Sequence, residues 1–431
     1  MGSEWREVRL GDLAEIYDGP HATPHTVADG PMFLGIVCLD NGRLDLTKAE
    51  HLTETDFSRW TRRVTPIAGD VVFSYETRIG EAGRIPPGFR GCLGRRMGLL
   101  RPKPNVDPSF LLYAYLAPEF QETLRSRTIH GSTVDRIPLV QLGDFPIRVP
   151  PVAEQRVIGS VLAVLDEKIE LNRRMSQTLE SMARALFKSW FVDFDPVRAK
   201  LEGLSSGLPW RVEGLFPDSL DDSELGEIPA GWRVATLSEV ADLNPESWSR
   251  DTRPASIEYV DLANTKSGRI EATASYSSSD APSRAQRVLR PGDTIFGTVR
   301  PGNRSYALVA DEGLTGSTGF AVLRPRQNEQ RAFVYLCATA DSSIDDLSRL
   351  ADGAAYPAVR PEVVLATAAL LPVPDNIMTV FCATTASLLD RCCEAGREIR
   401  SLASIRDELL PQLLRVEGPT LLPRYSWDSH P

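Results

Sequence analysis

The most regular feature of the sequence is an apolar pattern between Pro150 and Lys200. Positions spaced alternately by four and three residues are largely apolar, which is the heptad pattern of a coiled-coil helix. Pro150 and Pro151 precede the pattern and Asp195-Pro196 follows it, so a helix of about forty residues is predicted between them. The first seam consists of Ile158, Leu162, Leu165, Ile169, Asn172, Ser176, Leu179, Ala183, Leu186 and Trp190.

The same frame recurs 223 residues later, again behind two prolines, Pro372 and Pro374. Each helix would be roughly 60 Å long at about 1.5 Å per residue. Neither apolar seam can stay exposed to water, so the two helices are predicted to pack on each other; the alternative is that each packs on its own domain. The second seam consists of Phe381, Thr385, Leu388, Cys392, Ala395, Ile399, Leu402, Arg406, Leu409 and Leu413.

The offset between the helices extends over most of the chain and indicates a tandem duplication. Four blocks recur in one order at offsets of 227, 223, 223 and 222 residues: 5–16 with 232–243, 68–73 with 291–296, 98–102 with 321–325 and, loosely, 131–133 with 353–355. In each half, a Gly-Asp turn precedes a short apolar run typical of a strand. The predicted strands are 71–74, 97–100, 294–297 and 319–323, and the predicted helices are 110–125 and 332–350.

The predicted fold class is therefore α+β, with two similar mixed α/β domains separated by two long helices that form an antiparallel coiled coil. We call the two domains lobe 1 and lobe 2. The segment after the first helix is rich in Gly, Pro, Ser and acidic residues, as linkers are. The predicted boundaries are 1–150 for lobe 1, 151–196 for the central helix, 197–228 for a linker, 229–372 for lobe 2, 373–416 for the C-terminal helix and 417–431 for a tail.

The charge distribution favours a nucleic-acid ligand although the net charge is −10. Residues 59–101 contain nine arginines and only three acids, and residues 284–326 contain seven arginines and three acids. Local patches, rather than the net charge, decide whether a protein contacts phosphates. Lysine is scarce throughout the chain, so some of these arginines are expected to stand where other proteins use lysine.

Composition also bounds the compartment and the chemistry. No apolar run approaches the roughly 18 residues of a membrane span, and the six scattered cysteines are typical of buried thiols in a reducing compartment. The chain is therefore expected to be cytoplasmic. His21 and His25 are four residues apart, but Pro24 opposes a helical metal pair, and no nucleotide-binding, metalloprotease or methyltransferase motif occurs. A binding role without a catalytic or metal site is expected.

The candidate DNA contacts lie in loops that follow the Gly-Asp turns. Arginine can bind guanine through two hydrogen bonds, asparagine can do the same with adenine, and hydroxyl groups suit phosphates. About half of these side chains are expected to be ordinary surface or turn residues. The candidates are Arg78, Arg95, Arg96, His130, Ser132 and Thr133 in lobe 1, and Arg300, Asn303, Arg304, Ser317, Thr318 and Tyr356 in lobe 2.

Three segments carry a resemblance to a known family. They are the 151–155 segment Pro-Val-Ala-Glu-Gln before the long helix, the aromatic ending at 187–194, and the Asp-Gly-Pro-His-Ala-Thr-Pro loop at 18–24. With the duplicated layout, which covers nearly the whole chain, they resemble the specificity subunits of type I restriction–modification systems. The second half departs from the pattern, because residues 374–377 lack the Pro-x-x-Glu-Gln form and no aromatic ending follows.

The resemblance implies a function. Each lobe would be a target-recognition domain that reads one half of a bipartite DNA site, and the helix pair would set the spacer and dock two methyltransferase subunits. Phe187, Trp190 and Phe191 are the expected docking residues. The chain itself would need no cofactor; S-adenosylmethionine, ATP and Mg would belong to the partner modification and restriction subunits.

Three alternatives remain open at this point. The first is a DNA-recognition adaptor of another defence or DNA-modification complex. The second is a coiled-coil scaffold that binds only proteins, and the third, least supported, is an autonomous enzyme. Salt-dependent, sequence-selective DNA binding would separate the DNA-reading hypotheses from the scaffold.

Overall fold

The computed structural model describes residues 5–21, 24–131, 134–249, 252–353 and 355–414. Up to the end of lobe 1 its elements are β1 (Arg6–Arg9), α1 (Leu10–Leu13), β2 (Ala14–Asp18), β3 (Val27–Leu34), β4 (Leu39–Asp40), β5 (Arg43–Leu44), β6 (Glu50–His51), α2 (Glu54–Trp60), β7 (Val71–Ser74), β8 (Ala82–Arg84), β9 (Gly91–Leu93), β10 (Met97–Pro102), α3 (Pro108–Leu116), α4 (Pro118–Ser126), α5 (Leu139–Leu142) and β11 (Pro146–Val149).

The elements from the central helix to the end of the described chain are α6 (Val152–Phe191), α7 (Asp195–Leu201), α8 (Trp210–Glu213), β12 (Leu220–Ser223), β13 (Gly226–Pro229), β14 (Trp232–Thr236), β15 (Ala241–Leu243), β16 (Ser256–Val260), β17 (Thr265–Lys266), β18 (Arg269–Ile270), β19 (Ala274–Ser277), β20 (Ala285–Val288), β21 (Thr294–Gly297), β22 (Tyr306–Leu308), β23 (Leu314–Ser317), β24 (Phe320–Pro325), α9 (Arg331–Ala338), α10 (Asp341–Arg349), α11 (Pro361–Leu365), β25 (Ala368–Pro372) and α12 (Asn376–Leu413).

The two long helices are α6 and α12, as the heptad pattern predicted. All ten positions of each seam are buried or partly buried, because an apolar stripe on a helix of this length must be covered. The chain divides into two compact units, Met1–Glu170 with Ile399–Pro431, and Leu171–Glu398. Each unit therefore contains a segment of both long helices.

Contacts within each unit show that the helix segments run antiparallel. In the first unit, Ile158 and Leu162 share an apolar core with Leu414, and Asp166 pairs with Arg406 at 2.8 Å. In the second unit, the Cys392 thiol donates to the Ser176 carbonyl at 3.4 Å, and the Phe191 and Phe381 rings are 4.8 Å apart. In both units, residues with higher numbers in α6 contact residues with lower numbers in α12. The predicted antiparallel pair is confirmed.

The two lobes share a topology, which confirms the duplication. Lobe 1 contains a sheet of order β2-β10-β7-β8 and lobe 2 one of order β15-β24-β21-β22. Each lobe also has a first-to-last strand pair, β1-β11 or β14-β25, and a second sheet, β6-β3-β9 or β19-β16-β23-β20. The β3-β9 and β16-β23 pairs are both parallel. Lobe 2 differs by one added edge strand, β20.

The repeated sequence blocks meet in a buried ion pair. Asp70, which is 1% exposed, binds Arg101 through both carboxylate oxygens at 3.0 and 2.7 Å. In lobe 2, Asp293 is equally buried and binds Arg324 at 2.8 and 2.9 Å. A buried carboxylate must be paired, and the planar guanidinium matches it with two hydrogen bonds. The Gly-Asp turn and the Arg-Pro block thus recur because they bind each other.

Lobe 2 extends this ion pair to Glu246, whose carboxylate contacts both Arg290 and Arg324. The hydrogen bond from Arg290, and then that from Arg324, lower the pKa of Glu246 from 4.5 to about 2. A carboxylate whose pKa is lower in the folded chain than in the unfolded chain stabilises the fold at a pH above the unfolded-state pKa. That stability is lost as the pH falls towards the folded-state pKa.

Glu246→Gln is expected to flatten the fall in unfolding free energy between pH 4.5 and 2, measured by urea unfolding. Glu227→Gln on the β12–β13 hairpin is the control, and identical curves for Glu246→Gln and the parent chain would refute the effect.

The predicted strands are confirmed, but each predicted lobe helix is split in two. The helix predicted over 110–125 breaks between α3 and α4, where Pro118 begins α4 and the proline restricts the residue before it to extended geometry. The helix predicted over 332–350 breaks at Ala340, whose backbone is extended (φ −62°, ψ 146°). Ser343 and Arg184 donate hydrogen bonds to the freed carbonyls of Cys337 and Thr339 at 2.9 and 2.8 Å.

The segment predicted as a linker, 197–228, has structure of its own. It contains α8, most of the β12–β13 hairpin and the greater part of α7, and it contributes Val197 and Phe216 to the apolar core of the second unit. The word linker therefore describes its place in the chain and not its conformation. No helix among the described residues is long and apolar enough to span a membrane.

The aromatic ending of α6 also requires a correction. Phe187, Trp190 and Phe191 are only 4–7% exposed, and their rings contact Phe381 at 4.8–6.1 Å. Large rings bury enough apolar area to dominate a core. In this structure they join α6 to α12 and lobe 2, so they do not offer a surface on which a partner could dock.

Candidate nucleic-acid interface

Three separate loops converge in lobe 1 at the end of β7. The Tyr75 amide donates to the Arg96 carbonyl at 3.2 Å, and the Ile137 amide donates to the Tyr75 carbonyl at 2.9 Å. Ile129 and Arg136 pair across the third loop. The turn after β7, the β9–β10 turn and the loop after α4 therefore form one surface, and each carries candidate residues.

Lobe 2 brings together the equivalent three loops. The Thr298 amide donates to the Gly319 carbonyl at 2.9 Å, and the Val359 amide donates to the Thr298 carbonyl at 3.0 Å. Asp352 and Ala358 pair across the late loop, as Ile129 and Arg136 do in lobe 1. The duplication thus reproduces the surface as well as the sheets. We call the two sets the reading loops of lobe 1 and of lobe 2.

Backbone strain is concentrated in the reading loops. Among the described residues, eight non-glycine residues have a positive φ, and four of them are Thr77 (64°), Arg96 (69°), Arg300 (50°) and Arg304 (57°). A positive φ is unfavourable for residues with a Cβ, especially a β-branched threonine. Such strain persists where the surrounding structure holds it and is enriched at functional sites. The strain supports a functional surface here.

The three lobe 1 arginines differ in how far other groups engage them. Arg78 donates to the Leu39 carbonyl at 2.9 Å and to Glu81 at 3.0 Å. Arg96 pairs with Glu76 at 2.9 Å. Arg95 is exposed at the tip of the β9–β10 turn and has no ion pair or hydrogen bond to another described side chain. Arg95 is therefore the lobe 1 candidate whose guanidinium is available for a ligand.

The remaining lobe 1 candidates lie in the loop after α4. His130 is highly exposed and its Nδ1 lies 3.1 Å from an Asp135 carboxylate oxygen. Arg136, which the sequence reading did not single out, is exposed in the same loop. Ser132 and Thr133 lie outside the described residues.

In lobe 2 the reading loops present an aromatic ring and an amide. Tyr356 is 71% exposed, and the Arg300 guanidinium lies 4.9 Å from its ring centroid while it donates to the Ala355 carbonyl at 2.8 Å. Arg304 pairs with Asp341 at 2.6 Å. Asn303 is exposed between the two arginines. Tyr356 and Asn303 are thus the lobe 2 groups best placed to meet a ligand, with Arg300 held beneath the ring.

The pair Ser317 and Thr318 separates into one buried and one half-buried residue. Ser317 is 1% exposed, and its hydroxyl accepts from the Gly319 amide at 3.2 Å. The prediction of Ser317 as a contact is wrong for this structure, because the side chain stabilises the β23–β24 turn from inside. Thr318 is half-buried, and its amide donates to the Arg284 carbonyl at 2.8 Å.

A basic cleft beside the lobe 1 loops was missed by the sequence reading. Its volume is about 440 Å³, and its lining includes His21, Arg59, Arg62 and Arg63. A Cβ at Gly19 would lie 2.5 Å from the Met97 carbonyl, so only glycine lets this loop approach the start of β10. These arginines lie within the arginine-rich segment 59–101, and that enrichment is the sequence feature that could have indicated the cleft. Arg59 lies in the last turn of α2, and Arg62 and Arg63 follow that helix and not a Gly-Asp turn. Only the fold brings them near Leu93, which also lines the cleft.

The outer face of α6 exposes a second apolar stripe. Val157, Val161 and Val164 are 46%, 41% and 61% exposed. They share one heptad frame, one residue before the first seam. Scattered exposed apolar residues are ordinary, but a stripe on one helix face is typical of a protein interface. We call these three residues the outer stripe.

The described residues contain no group of three or more His, Cys, Asp or Glu side chains arranged to hold a metal ion. Cys392 and Cys393 are partly buried free thiols on α12. Burial raises the pKa of Cys393 to about 11, so this thiol stays protonated near neutral pH. Cys392 occupies a position of the second seam, as the heptad pattern predicted.

Comparisons with known proteins identify the chain's relatives. Residues 2–181 match the family described as type I restriction modification DNA specificity domain. The chain is 24% identical to the HindI type I restriction enzyme specificity subunit of Haemophilus influenzae, over 74% of this chain and 79% of that protein. It is 25% identical to the MjaIX specificity subunit of Methanocaldococcus jannaschii, over 96% and 94% of the two chains.

A solved structure shares the fold. The crystal structure of the type I restriction–modification S subunit from M. genitalium superposes with a TM-score of 0.59 at 15% identity, and 96% of each chain is covered. At that identity the likeness shows the fold alone. With the matched specificity domain over residues 2–181 and the near full-length relatives, this chain is similar to type I restriction–modification specificity subunits over most of its length.

Proposed function

We propose that this chain is the DNA-recognition subunit of a type I restriction–modification complex, in which each lobe reads one half of a bipartite, asymmetric site. The observation that carries the proposal is the duplicated set of converging reading loops. The loops present an unengaged guanidinium at Arg95 in lobe 1, and an amide and a ring at Asn303 and Tyr356 in lobe 2. Because these groups differ, the two half-sites are expected to differ.

The long helices supply the second part of the proposed mechanism. Each good bidentate side-chain–base pair discriminates by about 1–3 kcal/mol, so one lobe alone can specify only a short sequence. Two lobes on one scaffold make the second contact intramolecular, and a stiff scaffold restricts the gap at which both can bind. The α6–α12 pair, with its continuous seams, is the proposed spacer.

The catalytic groups are proposed to belong to partner subunits. Two modification subunits with S-adenosylmethionine, and restriction subunits that use ATP and Mg, would act on the DNA that this chain selects. We propose the outer stripe, in place of Phe187, Trp190 and Phe191, as a docking surface for the modification subunits. Its valines are exposed, whereas the aromatic residues are in the core.

A map of methylated adenines in a host that expresses the chain with its modification subunit tests the proposal. A bipartite motif with two unlike halves and one gap length is expected, and it must disappear when this chain is deleted. Purified chain should bind the same duplex in a salt-dependent manner, because phosphate contacts release counterions. A map without a bipartite motif would leave the adaptor or scaffold hypotheses standing.

Arg95 provides a residue-level prediction. Arg95→Ala is expected to relax base selection at one position of the lobe 1 half-site, by about 1–3 kcal/mol or roughly 5- to 150-fold, and to leave the other half unchanged. The reason is that this exposed guanidinium has no protein partner among the described side chains, so a base edge is its best ligand. The measurement is the methylation map of the variant.

The matched control for Arg95 is Arg9→Ala. Arg9 is also exposed, but it lies on β1 and pairs with Asp144 at 3.2 Å, away from the reading loops. This variant should keep the parent motif. If Arg95→Ala keeps the parent motif as well, Arg95 does not contact a base.

A further inference from the structure

A polar cluster attaches lobe 2 to α6. Arg184 on α6 lies between two tyrosine rings, 5.4 Å from the Tyr306 centroid and 5.5 Å from that of Tyr335. Its guanidinium donates to Glu180 at 2.7 Å and to the Thr339 carbonyl at 2.8 Å. The Tyr335 hydroxyl donates to the same Glu180 oxygen at 2.8 Å. We call Glu180, Arg184, Tyr306 and Tyr335 the Arg184 cluster.

The cluster joins elements that are far apart in the sequence. Tyr306 begins β22, Tyr335 lies in α9, and the Thr339 carbonyl ends that helix. Burial, and then the nearby Glu180 carboxylate, raise the pKa of Tyr335 well above its ordinary value, so its hydroxyl keeps the proton that it donates. A half-buried guanidinium with this many partners fixes its neighbours in one geometry, because loss of any partner leaves a charge uncompensated.

A glycine turn completes the attachment. Gly268 lies between β17 and β18, and a Cβ there would stand 2.9 Å from the Glu180 carboxylate oxygens and 2.7 Å from the Tyr335 hydroxyl. The turn therefore approaches the cluster as closely as backbone can. Its positive φ of 90° is a second reason why only glycine suits the position.

The cluster lies directly beneath the reading loops of lobe 2. The Tyr306 amide donates to the Arg304 carbonyl at 3.0 Å, and the Ser267 amide donates to the same carbonyl at 2.8 Å. Arg304 belongs to the loop that presents Asn303 and Arg300. The same residues that contact α6 thus hold the base of this loop.

Lobe 1 uses a tyrosine of the equivalent helix, α3, for its own attachment. Tyr113 stands 222 residues before Tyr335, and its hydroxyl donates to Asp166 of α6 at 2.7 Å. Arg43 adds an ion pair with Glu170 at 3.2 Å. Both lobes, whose reading residues differ, therefore join a tyrosine of the equivalent helix to a carboxylate of α6, which indicates that the attachment itself matters.

We propose that the Arg184 cluster fixes the angle between the lobe 2 reading loops and α6, and that it thereby makes recognition selective for one gap length. The proposal rests on the proposed function. One added base pair moves a half-site by about 3.4 Å and turns it by roughly 34°, since B-DNA has about 10.5 base pairs per turn. A lobe free to turn on its helix could follow that rotation, whereas a lobe held by the cluster cannot.

The test is a methylation map of the double variant Glu180→Gln/Arg184→Met, expressed as the full chain with its modification subunit. The two substitutions remove both charges; glutamine keeps the shape of Glu180, and methionine keeps the unbranched apolar stem of Arg184. Both half-sites are expected to be unchanged, while gaps one base pair longer or shorter become modified. The discrimination between gaps should fall about tenfold or more, the factor expected for lost hydrogen bonds to a charged group.

The control is Arg391→Met/Glu394→Gln, which removes an exposed pair of the same charges on α12 with a 2.9 Å contact. It should keep the parent gap. Retention of the parent gap and its discrimination by the cluster variant would overturn the proposal. If the cluster variant gives no methylation, the single variant Tyr335→Phe, which removes one hydroxyl, is mapped instead. Modification at gaps one base pair longer or shorter supports the proposal, and the parent gap alone rejects it. Absence of a bipartite motif in the parent map would instead reject the proposed function.

Discussion

Insertion of seven residues into both long helices is expected to lengthen the gap between the half-sites without changing either half. Suitable points are directly after Ser176 in α6 and after Cys392 in α12, because these residues contact each other at 3.4 Å. One heptad preserves the seam and adds about 10 Å at about 1.5 Å per residue, which matches about three base pairs. A methylation map of the insertion variant gives the gap directly.

A loop insertion provides the control for this prediction. Seven residues placed in the turn between β12 and β13, at 224–225, lengthen the chain equally but leave both seams intact, so the parent gap should remain. If the helix insertion also leaves the parent gap in place, the helix pair does not act as the spacer.

Replacement of Phe191 by alanine is expected to lower the free energy of unfolding by about 3–5 kcal/mol, the usual cost of removing a buried phenyl ring. The Phe191 ring is 4% exposed and lies 4.8–5.3 Å from the rings of Phe381, Phe333 and Trp232. Alanine leaves a cavity where α6, α12 and lobe 2 meet. Urea unfolding of the purified chain measures the loss.

The neighbouring Val192→Ala variant is the control, because Val192 is 44% exposed and its truncation should change stability little. The comparison also separates the two roles considered for Phe191. A docking residue would leave the unfolding free energy near the parent value and weaken binding of the modification subunit. That pattern would contradict the core assignment.

The arginine patches show why the site was predicted only in part. Sequence counts located segments 59–101 and 284–326, and the structure brings loops from both segments to equivalent surfaces of the two lobes. The counts could not tell Arg95, which has no described side-chain partner, from Arg96, which pairs with Glu76. Ser317 was predicted as a DNA contact although it is buried. Which arginine is free depends on carboxylates that are distant in sequence.

The lobe helices show a similar limit. Apolar periodicity correctly predicted helical structure over 110–125 and 332–350, but it missed both breaks. Pro118 offered a local signal for the first break, since a proline restricts the residue before it. The second break, at Ala340, has no comparable signal. The carbonyls of Cys337 and Thr339, at the end of α9, accept hydrogen bonds from Ser343 and from Arg184 of α6. The contact with Arg184 exists only in the folded chain.

The sequence by itself determined the long helices, their antiparallel pairing and the duplication, because each depends on a periodic or repeated pattern that survives without coordinates. Only the tertiary structure decided how the repeated blocks are used. Asp70 and Arg101 recur as Asp293 and Arg324 because each pair forms a buried ion pair. Likewise Phe187, Trp190 and Phe191 face inward because other parts of the chain cover them. Burial in the core and ion pairing join residues that are distant in the chain, and the periodicity of the sequence carries no information about such contacts.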